Sequence, residues 1–329
     1  MTKPSLESIW QMPAEELSKL LDSGIFLPKT GKIHFYAPSF IHYKTNYFCS
    51  AIQDFPTISV TGKGCALNCK HCGGKVLETM HPAKTSEELY NLCVKLKKEG
   101  ALGCLISGGC LPDGSVPLDN FIDAIEKIKK ELKLTVFVHV GIISYERAKR
   151  LKEAGVDAAL IDIIGDEETI REIYKLNTTT KDYENSLKAL SQADLNFVPH
   201  VIVGLHYGNL KGELNALRII SKYKPKAIVI IAFMPIHGTE MEKTEPPKPT
   251  DIAKVIAAAR LMFPEKPIVL GCMRPKGKHR ALTDILAIKA GVNAIAFPTE
   301  EAVKYAEKNG YAIRFSPFCC SQIHKDFYT

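Results

Sequence analysis

The chain has 329 residues, of which 46% are hydrophobic and 24% charged, enough for one large α/β barrel or two average domains. No apolar run approaches the roughly 18 residues of a membrane span, and the amino terminus lacks the basic-then-apolar order of a signal peptide, so we expect a cytoplasmic protein without membrane association. The net charge of +7 comes from scattered Lys and Arg, which indicates a solvated surface and gives no support to nucleic acid as a partner.

The predicted elements begin with an amphipathic helix over Ser5–Leu21. An extended, aromatic-rich stretch follows it, "KIHFYAPSFIHYKTNYFCS". We interpret residues 1–55 as an amino-terminal cap on the domain that comes next.

From residue 56 onward the chain alternates short β-branched apolar runs with amphipathic helical patterns. Eight such units predict a parallel sheet closed into a (β/α)8 TIM barrel over residues 56–300. Residues 301–329 are expected to form a tail over the barrel mouth. The predicted strands are 57–62, 103–109, 135–141, 159–165, 197–204, 227–235, 267–274 and 294–298.

Three of the ten cysteines, Cys65, Cys69 and Cys72, have the spacing C-x3-C-x2-C directly after the first predicted strand. Ten cysteines without a signal peptide indicate a reducing compartment and metal or catalytic use. The loop lies at the carboxyl end of the strands, where barrel enzymes place their chemistry. A structural zinc site needs four ligands, and His71 lies between two of the cysteines with no room to turn in. An iron–sulfur cluster with one open iron is therefore the favoured interpretation.

This motif at the end of the first strand of a βα barrel resembles the radical S-adenosylmethionine (SAM) superfamily. The resemblance implies that Cys65, Cys69 and Cys72 hold a [4Fe–4S] cluster whose fourth position is filled by SAM, which is cleaved to a 5′-deoxyadenosyl radical. Gly108 and Gly109 in "SGGC" match the family's turn that binds the SAM amino group. Cys110 follows them where the family pattern has an acid.

Over about residues 55–300 the chain resembles biotin synthase. The resemblance implies that Asp162 contacts SAM or substrate, and it matches Arg274 to the arginine of that enzyme's second cluster. His139 and His200 lie near strand ends and are candidate SAM contacts, although a structural role is equally compatible with their positions.

The three cysteines that hold the second cluster of biotin synthase are absent. Ile106, Val138 and Val198 stand at about those places. The sequence therefore predicts a relative of biotin synthase with a different second site.

A second set of cysteines lies outside the motif, near the mouth or in the tail. We predict that they bind an auxiliary [4Fe–4S] cluster, because a vicinal thiol pair in an extended tail is a poor core former. Cys93 and Cys104 are instead interpreted as small core hydrophobes. The predicted auxiliary set is Cys49, Cys110, Cys272, Cys319 and Cys320.

The whole pattern resembles one member of a two-protein lipoyl synthase system. The resemblance implies sulfur insertion at C6 and C8 of an octanoyl chain on a lysine of a carrier such as glycine-cleavage H protein, with a second radical SAM protein and a ferredoxin-type reductant. Two alternatives remain open: another radical SAM enzyme, such as a methylase or a cofactor-maturation enzyme, and a non-catalytic zinc or iron–sulfur scaffold.

Overall fold

The computed structural model describes residues 4–28, 31–39, 42–50 and 53–328. These residues contain one parallel sheet whose strands are rich in β-branched and aliphatic side chains, as in "IVIIA". The strands are β1 Lys32–Tyr36, β2 Thr57–Ser59, β3 His81–Pro82, β4 Gly103–Ser107, β5 Thr135–His139, β6 Ala158–Asp162, β7 Phe197–Val203, β8 Ile228–Ala232, β9 Ile268–Leu270, β10 Ala294–Ala296 and β11 Ala312–Ser316.

Helices connect most of the strands, and several begin at a side-chain cap, as at Thr85, Ser144 and Thr299. No helix within the described ranges is long and apolar enough to cross a membrane. The helices are α1 Leu6–Gln11, α2 Ala14–Asp22, α3 Ser86–Lys98, α4 Ile122–Lys127, α5 Tyr145–Glu153, α6 Glu167–Ile173, α7 Thr180–Gln192, α8 Glu213–Ser221, α9 Pro249–Met262, α10 Lys278–Lys289, α11 Glu300–Lys308 and α12 Ile323–Asp326. A π-helical segment continues α4 over Ile128–Leu132, and 3-10 turns lie at Lys75–Leu77, Asp119–Phe121 and Cys320–Gln322.

The strand order is β11–β1–β10–β9–β8–β7–β6–β5–β4–β2–β3, and every recorded pair is parallel. Each of the eight predicted strands is present, so the predicted parallel α/β sheet of alternating strands and helices is confirmed. The strands are shorter than predicted at their carboxyl ends, because Gly-rich segments there leave the sheet as loops.

The prediction that these eight strands alone close into a barrel is wrong. The last strand of the predicted barrel, β10, lies between β9 and β1 and pairs with both. It therefore has no free edge on which β2 could close the barrel. Strand β11 then extends the sheet beyond β1. Within the part of the chain that the structure describes, no hydrogen-bonded pair joins β11 to β3, and the sheet is a curled, open barrel.

The predicted cap therefore contributes a strand to the sheet. The single helix predicted over Ser5–Leu21 is also wrong: α1 and α2 are separate helices, divided at Met12 and Pro13. Proline cannot donate the helical hydrogen bond and begins a new helix more readily than it continues one.

The sheet separates two apolar layers, since strand side chains alternate between its faces. One layer packs against the surrounding helices. The inner layer contains Phe137, Leu160, Val198, Val229 and Val269, one from each of five strands.

The carboxyl-terminal tail packs on this inner layer. Phe318 lies against Phe55, with ring centroids 5.6 Å apart. Lys325 Nζ reaches Asp157 Oδ1 at 2.8 Å, just before the amino end of β6. The tail was expected over the mouth, whereas the structure places it along the inside of the curled sheet, where it shields the interior from water.

Candidate active site

The cysteine loop follows β2 and is fastened to its neighbours by backbone hydrogen bonds. The Ala66 amide donates to the Cys110 carbonyl at 2.9 Å, and the Lys70 amide donates to the Ile173 carbonyl at 2.8 Å. The loop is thus held between the segment after β4 and the end of α6, at the carboxyl mouth of the sheet.

Gly109 must be glycine because the cysteine loop crosses directly over it. A Cβ at Gly109 would overlap the Gly64 carbonyl oxygen and lie 2.6 Å from Cys65 Cα. The Gly109 amide donates to Thr61 Oγ1 at 2.7 Å. At Gly108 a Cβ would come no closer than 3.1 Å to Val60. In this structure the "SGGC" segment therefore positions the cysteine loop, in addition to any ligand that it binds.

Two of the three motif cysteines form a compact ligand group with His71. Cys69 Sγ, Cys72 Sγ and a ring nitrogen of His71 lie within 4.8 Å of one another. Cys69 and Cys72 are buried, and Cys65 is half-buried beside them. The expectation that His71 has no room to turn toward the cysteines is wrong, because the 69–72 segment forms a tight turn that brings its ring onto the thiols.

The electrostatics of this group favour a thiolate. A hydrogen bond from Cys69 lowers the pKa of the Cys72 thiol to about 4, and His71 acts in the same direction although burial opposes both. The same contact raises the pKa of Cys69. Because the thiolate is the form that binds metals, one ligand is ready at neutral pH and the others become so when a metal displaces their protons.

The donor set fits an iron–sulfur cluster. The loop offers three cysteine sulfurs, two of them in one compact group, and soft thiolates are the ligands such clusters use. The buried Nδ1 of His71 has no hydrogen-bond partner among the described residues.

A polar group lines the mouth at the ends of β5, β6 and β7. His139 Nε2 lies 3.5 Å from Asp162 Oδ1, and the His139 and His200 rings are 6.0 Å apart. Burial would lower the pKa of His139, but the charge and hydrogen bond of Asp162 raise it above its usual value. Burial lowers the pKa of His200 to about 4, so this imidazole is neutral, and its buried Nδ1 has no described partner.

Asp162 connects this polar group to the cysteine loop. Burial would raise the pKa of Asp162, but His139, then His200 and His71, lower it below its usual value. The carboxylate is therefore ionised in the mouth beside three imidazoles. Such a group can bind the amino, hydroxyl or carboxylate groups of a polar ligand, and the contact of Asp162, His139 and His200 with SAM stays a prediction.

The predicted auxiliary cysteines fall into separate places. Cys110 lies with the motif: burial raises its pKa to about 12, and Cys65, Asp162 and Cys72 add to this. Cys49 is exposed, and its Sγ donates to the neighbouring Ser50 carbonyl at 3.8 Å.

Cys272, Cys319 and Cys320 all pack on the inner layer, although among the described residues their sulfur atoms do not form a group within 4.8 Å of one another. Burial raises the pKa of Cys272 to about 11, and Cys319 raises it further. A hydrogen bond from Cys320 lowers the pKa of Cys319, which also acts on His139. Two of the three thiols thus belong to the tail, and Cys319 is near enough to His139 to raise its pKa.

The Arg274 side chain lies in a buried hydrogen-bond network. Its side chain has no exposed surface, and Nε donates to Asp284 Oδ1 at 2.8 Å. Nη1 donates to the carbonyls of Gly271 and Ala296, and Nη2 donates to that of Phe297. These bonds fix the chain after β9 to the chain after β10. All of these bonds are to protein groups, so they give the predicted role of Arg274 at a second cluster no direct support, although its charge acts on Cys272 and Cys320 and opposes the rise that burial causes in their pKa values.

Sequence reasoning missed Thr61 and discounted His71. Thr61 carries no motif signal, and its role depends on the distant Gly109 amide. His71 was visible inside the motif, but its reach depends on the turn that the loop adopts.

Comparisons with known proteins give two family matches. Residues 59–218 match the Radical SAM superfamily, and residues 230–312 match the Biotin and Thiamin Synthesis associated domain. The chain is 27% identical over 271 residues to the biotin synthase of Prochlorococcus marinus (strain MIT 9515), covering 79% of this chain and 78% of that protein. It is 27% identical to the biotin synthase of Neorickettsia sennetsu, with 80% and 81% covered.

Solved structures share the fold. Methylornithine synthase (PylB) superposes with a TM-score of 0.63 at 16% identity, over 94% of this chain and 93% of that one. The FeFe-hydrogenase maturase HydG from Carboxydothermus hydrogenoformans gives a TM-score of 0.63 at 15% identity, over 99% and 78%. The curled parallel sheet is therefore shared with these proteins.

Proposed function

The chain belongs to the radical SAM superfamily and is similar to biotin synthase, and from this premise we propose that it is a sulfur-insertion enzyme of the lipoyl synthase type. Its substrate in this proposal is an octanoyl chain on a lysine of an acidic carrier domain of the glycine-cleavage H protein type. It acts with a second radical SAM protein and a ferredoxin-type reductant.

In this proposal Cys65, Cys69 and Cys72 hold the [4Fe–4S] cluster that binds SAM. When bound, the cluster and SAM supply a 5′-deoxyadenosyl radical that can remove hydrogen from an unactivated carbon. Asp162, His139 and His200 orient the polar groups of SAM or substrate at the mouth. The apolar inner layer and the tail exclude water from the reacting atoms.

The observation that carries the proposal is the approach of Cys319 and Cys320 to Cys272. The three thiols pack on the inner layer, and Cys319 is near enough to His139 to act on its pKa; in this proposal they bind a second cluster that donates sulfur. We limit the auxiliary set to these three, because Cys110 lies with the motif and Cys49 makes no described contact with the others.

The same arrangement distinguishes this chain from biotin synthase itself. The positions that correspond to that enzyme's second-cluster cysteines, Ile106, Val138 and Val198, are fully buried apolar core residues. Arg274 is committed to Asp284. The second cluster therefore uses a different part of the fold in this proposal, with ligands from the tail.

Iron and labile sulfide analysis of the anaerobically reconstituted protein tests the two-cluster arrangement. The wild type should contain about eight irons per chain, and a Cys272→Ala/Cys319→Ala variant about four. The matched control is Cys93→Ala, a buried cysteine on α3 that should keep about eight. About four irons in both wild type and double variant would refute the auxiliary cluster, and zinc in place of iron would favour the scaffold alternative.

Mass spectrometry of an octanoylated carrier peptide tests the reaction. The protein, SAM and a strong reductant should yield 5′-deoxyadenosine and, together with a second radical SAM protein, add sulfur to the octanoyl chain. Formation of 5′-deoxyadenosine without any sulfur gain would favour the alternative radical SAM enzyme. Absence of 5′-deoxyadenosine would contradict catalysis.

A further inference from the structure

The turn between β2 and the cysteine loop carries two hydroxyl groups that lie close together. Ser59 Oγ lies 3.4 Å from Thr61 Oγ1 and donates to the Gly62 carbonyl at 2.6 Å. Thr61 Oγ1 accepts from the Gly109 amide at 2.7 Å. These contacts connect the end of β2, the start of the cysteine loop and the "SGGC" segment.

The directions of these hydrogen bonds follow from the number of hydrogens available. A hydroxyl has one hydrogen to donate, and a carbonyl oxygen can only accept. The Ser59 hydrogen is used at the Gly62 carbonyl, so Thr61 is the donor in the longer and weaker contact between the two hydroxyls. The chain of bonds therefore runs in one direction, from the Gly109 N–H through Thr61 and Ser59 to the Gly62 carbonyl.

The backbone on either side of Val60 holds Thr61 in place. Ser59 is fully buried, and its carbonyl accepts from the Ala83 amide at 3.0 Å. The Val60 amide donates to the Ser107 carbonyl at 2.8 Å. Thr61 Oγ1 is thus a fixed acceptor beside the "SGGC" segment.

The bond to Thr61 determines how the peptide between Gly108 and Gly109 is turned. The described chain contains no cis peptide, and in a planar trans peptide the carbonyl points opposite to the N–H. Because the Gly109 N–H points at Thr61, the Gly108 carbonyl points away from it. Gly109 is buried whereas Gly108 is partly exposed, and among the described residues no backbone donor outside the helices and strands reaches this carbonyl. Such a carbonyl can accept a hydrogen bond from an ammonium group.

We propose that Thr61 is a positioning residue, which holds the Gly109 amide and so directs the Gly108 carbonyl toward the ammonium group of SAM. Ser59 in turn orients the Thr61 hydroxyl. This inference rests on the proposed function only in requiring that SAM binds at the "SGGC" segment. In this role Thr61 touches no reacting atom and forms no covalent bond.

Removal of the Thr61 hydroxyl leaves the Gly109 amide without its acceptor, so the peptide is free to turn. Thr61→Val keeps the shape of the side chain and should weaken SAM binding about tenfold. Thr61→Ser keeps the oxygen and should bind SAM as the wild type does. 5′-Methylthioadenosine contains the nucleoside and the sulfur but no amino group, so Thr61→Val should leave its affinity unchanged.

Equilibrium binding of SAM and of 5′-methylthioadenosine to the anaerobically reconstituted protein, without reductant, measures these affinities. Iron analysis of the same samples should give the wild-type content in Thr61→Val, because all the cysteines are retained. Hydrogen exchange in peptides from residues 103–112 should be faster in Thr61→Val than in Thr61→Ser. Thr178→Val is the matched control, since it removes a hydroxyl bonded to Asp182 in α7, and it should behave as the wild type.

The outcomes separate this inference from the proposed function. Unchanged SAM affinity in Thr61→Val at normal iron content, or a Thr61→Ser variant as weak as Thr61→Val, would overturn the role of Thr61 and leave the proposed function intact. Equal losses for SAM and 5′-methylthioadenosine would show a general disturbance of the mouth and would overturn the orientation of the carbonyl.

Loss of iron in Thr61→Val would show that Thr61 holds the cysteine loop instead of the peptide, and it would also overturn the inference. Failure of the wild type to bind SAM would overturn both proposals. If the selective tenfold loss is found but the wild type and its partner add no sulfur to the carrier, the inference stands and the proposed function fails.

Discussion

Arg274 and Asp284 form a fully buried ion pair, in which the guanidinium Nε donates to the carboxylate Oδ1 at 2.8 Å. The second oxygen of Asp284 accepts from the Thr299 amide at 2.9 Å. The pair therefore connects three successive segments of the chain: the loop after β9, helix α10 and the turn before α11. Arg274 thus has a structural role in this chain, whereas the resemblance to biotin synthase implied a role at a cofactor.

Replacement of Asp284 by Asn should destabilise the protein without changing its iron content. Asn cannot neutralise the buried guanidinium, and loss of one partner of a buried pair costs about 3 kcal/mol or more. Urea unfolding would measure the loss. Glu126→Gln, which breaks the exposed pair with Lys130, should change stability by less than about 0.5 kcal/mol. Loss of iron in Asp284→Asn at unchanged stability would instead place Arg274 at the cofactor.

Gly109→Ala should displace the cysteine loop, whereas Gly108→Ala should be tolerated. The new methyl group at Gly109 would meet backbone atoms of Gly64 and Cys65, which cannot move without moving the motif. We expect at least a tenfold loss of SAM affinity and reduced iron binding in Gly109→Ala, a difference of about 1.4 kcal/mol or more. Equilibrium SAM binding and iron analysis of the two variants measure this, and equal behaviour of both would contradict the seating role of Gly109.

Glu213 should make the protein less stable as pH rises toward neutrality. Burial raises the pKa of Glu213 from 4.5 to about 7, because the residue is 4% exposed; Oε1 accepts from the Gly204 amide, and Oε2 has no partner among the described residues. The stabilisation is complete below the unfolded pKa of 4.5 and is lost as pH rises through about 7, since the unfolded chain then binds fewer protons than the folded one. The full effect is about 3 kcal/mol.

Glu213→Gln tests this dependence, because Gln keeps an oxygen for the Gly204 amide and does not ionise. Between about pH 4.5 and about pH 8 the wild type should lose about 3 kcal/mol relative to the variant in urea unfolding. Glu265→Gln, at an exposed position, is the control and should follow the wild type. Parallel pH profiles for wild type and Glu213→Gln would show that the carboxyl ionises normally in the fold.

Tyr36→Phe should loosen the tail from the sheet. The fully buried Tyr36 hydroxyl donates to Asp326 Oδ2 at 2.7 Å, and removal of one such bond to a charged group costs about 1.5 to 3 kcal/mol. Hydrogen exchange should become faster in peptides from residues 317–328. Tyr47→Phe removes a longer, exposed bond to Glu307 and should leave the tail unaffected. Unchanged exchange in Tyr36→Phe would show that apolar packing alone holds the tail.

Much of the fold follows from local pattern. The eight predicted strands are all present, because continuous apolar runs of β-branched residues between amphipathic helices specify a parallel sheet. The break at Pro13 was also readable in principle, since proline interrupts a helix whatever its tertiary context. The strand β1 was not identified, because its aromatic run "KIHFY" becomes a strand only when β10 offers it an edge.

The cysteine motif was determined by the sequence alone, since Cys65, Cys69 and Cys72 are close in the chain and follow directly on a predictable strand. Only the tertiary structure decided the remaining assignments. It brings Cys319 and Cys320 to Cys272 across some fifty residues of chain, places Cys110 with the motif, and commits Arg274 to Asp284. These contacts depend on how the tail packs inside the curled sheet, and long-range packing of this kind leaves no periodic signal in the sequence.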